Sequence, residues 1–181
     1  MKSPEQERRE LVTRLTEAAD ILSASMDVRF VPSRGANIAY AIKGARDGRD
    51  VAAVPGGLRV DGGRIHRSGT CAFDTGEEIV RTVLTVMKFD PAMRSVAVIT
   101  YSKKFLDVLE DMFIECREVD RTRSAPGTSA MDWGIASCCS DGVPEVIYDK
   151  GRKEEIGMIY CIGEDAVEVA NNIIILSHRI Q

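Results

Sequence analysis

Histidine is scarce in this sequence: only His66 and His178 occur among 181 residues, which leaves little material for a zinc site. The five cysteines show no C-x-x-C spacing, and their odd number argues against a disulfide framework, so we expect buried thiols. The glycine pair Gly56-Gly57 is not followed by the Gly-Lys-Ser/Thr of a P-loop. The sequence therefore predicts no zinc site and no nucleotide loop of that type.

A basic face and a long apolar run are also absent from the sequence. Lysine and arginine number 24 against 28 acidic residues, mixed along the chain, so the net charge is −4. Nucleic-acid binding would require a basic patch or stripe, which this distribution does not supply. No apolar run approaches the roughly 18 residues of a membrane span, and no signal peptide opens the sequence. We expect a cytoplasmic protein with neither nucleic acid nor membrane as a partner.

The stretch 75–102 predicts a helix followed by a buried strand. Thr75 and Glu78 have the spacing of a capping box, apolar residues then recur at i, i+3, i+4 and i+7, and Pro91 prevents continuation. The apolar run 96–99 is typical of a strand that is covered on both faces. A helix that leads into such a strand indicates a layered α/β domain.

The remaining sequence alternates helical and strand patterns, with hairpins among them. A serine-proline start predicts an N-terminal helix within residues 1–25, and Asp61-Gly62-Gly63 predicts a β-hairpin. Residues 121–129 are the most loop-like segment, and we expect them to be mobile without a ligand. The order of elements predicts an α/β fold, a three-layer sandwich with a mixed β-sheet covered by helices, formed by a single domain 1–181.

Few side chains suggest chemistry by their position alone. Asp120 and Arg121 close a strand and enter the 121–129 loop, where α/β folds commonly bind ligands, although charged loop residues are equally often only solvated. Trp133 lies off the apolar face of its helix, either as a partial core residue or as the wall of a site. Cys138-Cys139 has no histidine nearby in sequence to activate a thiol, so packing is the preferred interpretation.

Several segments, taken together, are specific to one family. They are Asn37-Ile-Ala-Tyr-Ala-Ile, Val51-Ala-Ala-Val, Arg81 with Met87-Lys88-Phe89-Asp90, Arg94 with Tyr101, Asp120-Arg121, Ser129-Ala-Met131-Asp-Trp133-Gly134, and Val143-Pro144-Glu-Val-Ile-Tyr148-Asp149-Lys-Gly151. In these segments, their order and their approximate spacing, the sequence resembles the ThiN-type thiamine-phosphate synthase family of archaea. The resemblance covers residues 30–176, which would form the family core.

The resemblance implies an activity and a ligand class. Members of the family join hydroxymethylpyrimidine diphosphate to a thiazole phosphate, which releases pyrophosphate and forms thiamine phosphate. Some carry this domain behind a pyrimidine kinase, and others carry it behind a helix-turn-helix, where it acts as a ligand-sensing regulator. Neither appendage is visible in these 181 residues. We expect a small-molecule phosphate as substrate or ligand, and a monomer or a small homo-oligomer such as a homodimer.

The polar positions of the family depart from its pattern here. The family's Phe-Gly-Ala-Ser-x-His is Phe73-Asp-Thr-Gly-Glu-Glu78 in this sequence, so the family's histidine falls on Glu78. Its arginine falls on Gly57, with Arg59 two residues away. A helix N-terminus suits a pyrophosphate, but carboxylates at that end would repel one. We therefore predict that Gly57→Arg combined with Glu78→His raises the affinity for a diphosphate.

Two functions stay open at this point. In the first, the chain is a thiamine-phosphate synthase with an altered site, in which arginines bind phosphate and carboxylates place Mg²⁺ or the pyrimidine amine. In the second, it is a non-catalytic relative that binds or senses a thiamine-pathway phosphate or a protein partner. The family favours the first and the altered positions favour the second. No catalytic or metal-ligating residue is assigned. The predicted substrate-binding residues are Asn37, Arg59, Arg64, Asp120, Arg121, Met131, Trp133 and Asp149.

Overall fold

The computed structural model describes residues 1–120, 130–152 and 155–180, which form five α-helices and nine strands. The predicted loop 121–129 lies outside the described residues. In chain order the elements are α1 (Pro4–Ser25), β1 (Asn37–Ala41), β2 (Val51–Ala53), β3 (Leu58–Asp61), β4 (Arg64–Arg67), β5 (Ala72–Phe73), α2 (Glu78–Phe89), β6 (Ser95–Thr100), α3 (Lys103–Asp111), β7 (Cys116–Glu118), α4 (Ala130–Cys139), β8 (Val146–Arg152), β9 (Glu155–Gly163) and α5 (Ala166–Ser177).

Seven strands form one mixed sheet in the order β5-β2-β1-β6-β9-β8-β7. Neighbouring strands run antiparallel except β7 and β8, which are parallel. A parallel pair requires a crossover connection, and α4 lies within it. Strands β3 and β4 pair separately, as the hairpin that Asp61-Gly62-Gly63 predicted.

Helices cover the sheet on both faces, so the predicted three-layer α/β sandwich is confirmed. Helices α1, α3 and α5 pack on one face, together with Ala97 and Ile99 of β6. Helices α2 and α4 pack on the other face, together with Val96 and Val98 of the same strand. Because side chains alternate along a strand, the apolar run 96–99 supplies both layers of the core. Within the described ranges no helix is both long enough and apolar enough to cross a membrane.

Two helix starts agree with their sequence signals and one does not. Ser3 and Gln6 form a capping box at the start of α1, and the Ser102 hydroxyl accepts from the Phe105 N–H at the start of α3. The capping box predicted at Thr75 is wrong, because α2 begins at Glu78. The Thr75 hydroxyl instead accepts from the N–H of Glu77, two residues on, at 3.3 Å. The start of α2 is therefore shaped by the preceding turn.

The cysteines are packing residues, as predicted. Four of the five are buried and Cys116 is half-buried, and no disulfide joins them. Burial raises the pKa of the Cys161 and Cys116 thiols to about 12 and that of Cys139 to about 11. A thiol with a raised pKa is mostly protonated at neutral pH and is a poor nucleophile. These side chains therefore contribute to the core and not to a reactive site.

Candidate functional site

A cleft of about 520 Å³ opens on the face of the sheet that α2 and α4 cover. Its walls are the turns that precede β1 and β3, the start of α2 and the start of α4. Sixteen residues line it: Arg34, Gly35, Ala36, Asn37, Gly56, Gly57, Glu77, Glu78, Ile79, Arg81, Thr82, Val98, Met131, Asp132, Met158 and Tyr160. The volume falls within the range of about 300–1,000 Å³ that is usual for small-molecule sites.

The apolar part of the lining comes largely from the sheet. Val98 of β6 is paired directly with Tyr160 of β9, and Met158 lies two residues before Tyr160 on the same face of β9. Met131 of α4 also lines the cleft. An aromatic ring and two thioether side chains form a surface that suits the flat face of a heterocycle.

Asn37 lies at the boundary between the sheet and the cleft, where its side chain ties β1 to the end of β2. Its amide nitrogen donates to the Val54 carbonyl at 2.9 Å, and its amide oxygen accepts from the N–H groups of Val54 and Ile38. Three of the four hydrogen bonds that an asparagine amide can form are therefore used within the protein. One N–H of the amide is left to donate to a ligand.

The backbone around Gly57 excludes a side chain at that position. Gly57 has a φ of +73°, and a Cβ there would lie 2.5 Å from the carbonyl oxygen of Ala36. That carbonyl accepts from the Leu58 N–H at 2.7 Å, so it cannot move without breaking the pairing. The side chain introduced by Gly57→Arg therefore does not fit unless this turn shifts, and the predicted gain in diphosphate affinity of the double variant stays a prediction. Nearby Arg59 does not supply a free guanidinium either, because it donates to the carbonyls of Gly56 and Arg34.

Carboxylates dominate the start of α2. Glu77 is the N-cap residue, yet within the described part of the chain its side chain makes no capping bond. It reaches across the cleft wall, and its Oε1 accepts from the backbone N–H of Gly56 at 2.7 Å. Glu78, at the first helical position, also lines the cleft. The helix end that would favour an anion is thus occupied by acidic side chains.

Two arginines balance part of this negative charge. Arg34 and Arg81 line the cleft together with Glu77, Glu78 and Asp132. The Nε of Arg81 lies 3.7 Å from an Asp132 carboxylate oxygen, too far for a good hydrogen bond. The Arg81 side chain is 62% exposed. Its guanidinium group is therefore available to a ligand at modest cost, because a long and exposed ion pair contributes little stability.

The predicted site residues are only partly brought together. Asn37 and Met131 line the cleft. Asp149 is buried on β8, where it accepts from the Gly151 N–H. The other described ones lie elsewhere: Arg59 is bound to backbone carbonyls, Arg64 is exposed on the β3–β4 hairpin, Asp120 is exposed after β7, and Trp133 is 37% exposed on α4. Arg121 lies outside the described residues.

Sequence reasoning missed several lining residues. The most informative are Arg34, Glu77, Thr82, Asp132, Met158 and Tyr160. A signal existed for two of them, since Thr82 interrupts the buried face of α2 and Tyr160 places a hydroxyl in an apolar strand. A polar group within a buried stripe often marks the edge of a site.

The cleft does not contain a complete set of metal ligands. No three histidine, cysteine, aspartate or glutamate side chains come together among the residues that the structure describes. Mg²⁺ commonly binds through one or two carboxylates together with substrate phosphates, and the cleft carboxylates Glu78 and Asp132 are of that type. Mg²⁺ therefore stays a prediction, and no chemical step is assigned to it.

Comparison with known proteins agrees with the fold and the resemblance. The model of the thiamine-phosphate synthase ThiN family matches residues 14–175. The chain is 32% identical to a bifunctional thiamine biosynthesis protein ThiDN of Methanocaldococcus jannaschii over 91% of its own length and 40% of that protein. It is 27% identical to a thiamine-phosphate synthase ThiN of Methanothermobacter thermautotrophicus, over 88% of each.

A solved structure gives the same result. The crystal structure of the C-terminal domain of protein MJ0236 superposes with a TM-score of 0.86 at 29% identity, covering 94% of this chain and 95% of that one. The chain spans less than half of the bifunctional relative, so it corresponds to one part of that protein. The chain belongs to the thiamine-phosphate synthase ThiN family.

Proposed function

We propose that this chain binds a phosphate of the thiamine pathway in the cleft between α2, α4 and the sheet, and that it turns over the synthase substrates poorly. The observation that carries the proposal is the composition of the cleft. Two arginines, Arg34 and Arg81, lie in the same lining as Tyr160, Met131 and Met158. Thiamine phosphate combines a phosphate ester with two heterocycles, and the two halves of the lining match those two kinds of group.

The altered positions weigh against efficient catalysis. In the synthase reaction the thiazole nitrogen forms a bond to the methylene carbon of the pyrimidine as the bond from that carbon to the diphosphate oxygen breaks. Negative charge grows on the leaving pyrophosphate, and stabilising such charge is usually the largest catalytic term. The resemblance aligns Glu78 and Gly57 with a histidine and an arginine of the family, and neither a carboxylate nor a glycine would stabilise a leaving anion.

The synthase reaction is the second candidate function. It is favoured by the relatives, because the protein of Methanothermobacter thermautotrophicus that aligns over 88% of this chain is named a thiamine-phosphate synthase. Arg34 and Arg81 would then be the cations nearest the pyrophosphate. The two functions differ in turnover and not in ligand class.

Calorimetry and a product assay on the same preparation separate the two functions. We expect thiamine monophosphate to bind the wild-type chain, and we expect turnover with hydroxymethylpyrimidine diphosphate and thiazole phosphate to fall far below about 1 s⁻¹, the lower end of ordinary enzyme rates. Turnover within the ordinary range of about 1–10³ s⁻¹ would establish the synthase instead. Absence of both binding and turnover would refute the two together. The assay is run with and without added Mg²⁺.

A further inference from the structure

The carboxylate of Glu77 already occupies a hydrogen-bond donor in the wall of the cleft. Its Oε1 accepts from the backbone N–H of Gly56 at 2.7 Å, although the two residues are 21 positions apart. Both residues line the cleft. This N–H, which an anionic ligand could otherwise use, is therefore bound to a negative charge of the protein itself.

The turn that carries Gly56 presents this N–H to the cleft for a local reason. The Gly57 N–H donates to the Val54 carbonyl at 2.9 Å, which closes a four-residue turn with Pro55 and Gly56 at its centre. Gly56 has a φ of +75°, the value that the third residue of a type II turn requires. In such a turn the N–H of the third residue takes no part in the closing bond. It is therefore free to bind an acceptor from outside the turn, and Glu77 supplies that acceptor.

We infer that Glu77 is a specificity-determining residue that restricts the cleft to monophosphates and excludes diphosphates. This inference rests on the proposed function, the binding of phosphates in the same cleft. Arg34 and Arg81 supply two cationic groups, enough for one phosphate ester. A second phosphate group needs further donors, and the Gly56 N–H is already bound to Glu77. The added negative charge would also lie in the same cleft as the carboxylates of Glu77 and Glu78.

The test uses single substitutions to separate the negative charge of Glu77 from its hydrogen bond with the Gly56 N–H. Glu77→Gln keeps an oxygen that can accept from Gly56, so the turn is retained while the charge is removed. Glu78→Gln removes the neighbouring charge, which is not the partner of Gly56. Glu5→Gln is the matched control, because Glu5 lies in the first turn of another helix, α1. Each variant is titrated by calorimetry with inorganic pyrophosphate and, separately, with thiamine monophosphate, and thermal unfolding verifies that each is folded.

We expect Glu77→Gln to bind pyrophosphate at least tenfold more tightly than wild type, which corresponds to about 1.4 kcal/mol. Its gain in affinity for thiamine monophosphate should be smaller than its gain for pyrophosphate, Glu78→Gln should gain less for pyrophosphate than Glu77→Gln, and Glu5→Gln should match wild type with both ligands. Equal gains in Glu77→Gln and Glu78→Gln, or no gain in either, would overturn the assignment to Glu77. Wild type that binds pyrophosphate as tightly as thiamine monophosphate would overturn it as well. Failure of wild type to bind thiamine monophosphate would instead refute the proposed function.

Discussion

Two arginine–aspartate pairs on opposite faces of the sheet have very different geometry. Arg14 of α1 and Asp165, which precedes α5, form two hydrogen bonds, with Nε to Oδ1 at 2.7 Å, and the Asp165 side chain is 15% exposed. Arg81 of α2 and Asp132 of α4 approach only to 3.7 Å. The first pair joins two helices that pack closely, whereas the second spans an open cleft.

The difference indicates how the two faces divide their roles. On the α1/α5 face the ion pair links two helices, and the residues that α1 turns toward the core, such as Leu15 and Leu22, are fully buried. On the α2/α4 face the contact between Arg81 and Asp132 is long, so a ligand can recruit Arg81 without breaking a strong bond. Mutations on the first face should therefore change stability, and mutations on the second should change affinity.

The largest expected effect is the loss of a core side chain on the α1/α5 face. Leu15 is fully buried, so Leu15→Ala should lower the free energy of unfolding by about 2–5 kcal/mol. The affinity of the folded variant for thiamine monophosphate should stay within about twofold of wild type. Met158→Ala in the cleft is the counterpart, because Met158 is only half-buried and lines the site. Met158→Ala should lower the free energy of unfolding by less than Leu15→Ala does, as urea unfolding would show. It should weaken the binding of thiamine monophosphate, as calorimetry would show. The reverse pattern would contradict the division between the faces.

The second expected effect concerns the turn at the cleft wall. Gly57→Ala should destabilise the chain by more than about 2 kcal/mol, because it adds both a strained φ and a clash with the Ala36 carbonyl. Gly62→Ala is the matched control, since Gly62 also has a positive φ but an added Cβ meets no atom within 4 Å. It should lose about 1 kcal/mol. Equal losses in urea unfolding would show that the contact with Ala36 is unimportant.

The third prediction separates the two ion pairs directly. Arg14→Ala should reduce the free energy of unfolding by about 1 kcal/mol with no change in affinity, since it breaks a bidentate pair. Arg81→Ala should change stability by less than about 0.5 kcal/mol but weaken thiamine monophosphate binding about tenfold. Arg9→Ala on α1 and Lys88→Ala on α2 are exposed controls that should change neither quantity. Weaker binding in Arg14→Ala would contradict the comparison.

The smallest effect is a dependence on pH. Burial alone would raise the pKa of Asp165, but the Arg14 guanidinium and the Tyr40 hydroxyl hold it below its ordinary value of 3.8. Because the pKa of Asp165 is lower in the folded chain than in the unfolded one, its ionised carboxylate stabilises the folded state above pH 3.8. This stabilisation is lost as the pH falls through the pKa of the folded state. The stability difference between wild type and Asp165→Asn should therefore be constant between pH 5 and pH 7, about 1 kcal/mol at most. It should shrink below pH 4, as urea unfolding at each pH would show.

Local signals in the sequence were sufficient to predict a helix start where a single hydrogen bond between residues close in sequence decides it. The helix start at Ser3 was predicted from a local serine-proline signal, and the cap that forms there joins residues three apart. Thr75 and Glu78 have the same spacing, but Asp74 and Gly76 both adopt a positive φ and turn the chain. The Thr75 hydroxyl then accepts from the Glu77 N–H instead. The pattern alone does not reveal which of two local bonds is formed.

The site was less predictable because its residues meet only through the sheet. Asn37 was predicted as a substrate-binding residue within a segment that resembles the family, and it does line the cleft. Tyr160 lies there because β9 pairs with β6 in a register that places it opposite Val98, which no local pattern specifies. Arg59 was proposed as a phosphate ligand, but two backbone carbonyls hold its guanidinium. These two hydrogen bonds form only because the turns before β1 and β3 lie close together in the fold, which the local sequence does not reveal.

The sheet tapers toward both sides, and this shape has a consequence for self-association. The outermost described strands, β5 and β7, contain two and three residues, whereas β6 and β9 in the middle contain six and nine. An exposed strand edge can template the addition of a strand from another molecule, and short edges offer few unpaired groups for it. Within the described residues the short edge strands therefore leave little edge for strand addition between molecules.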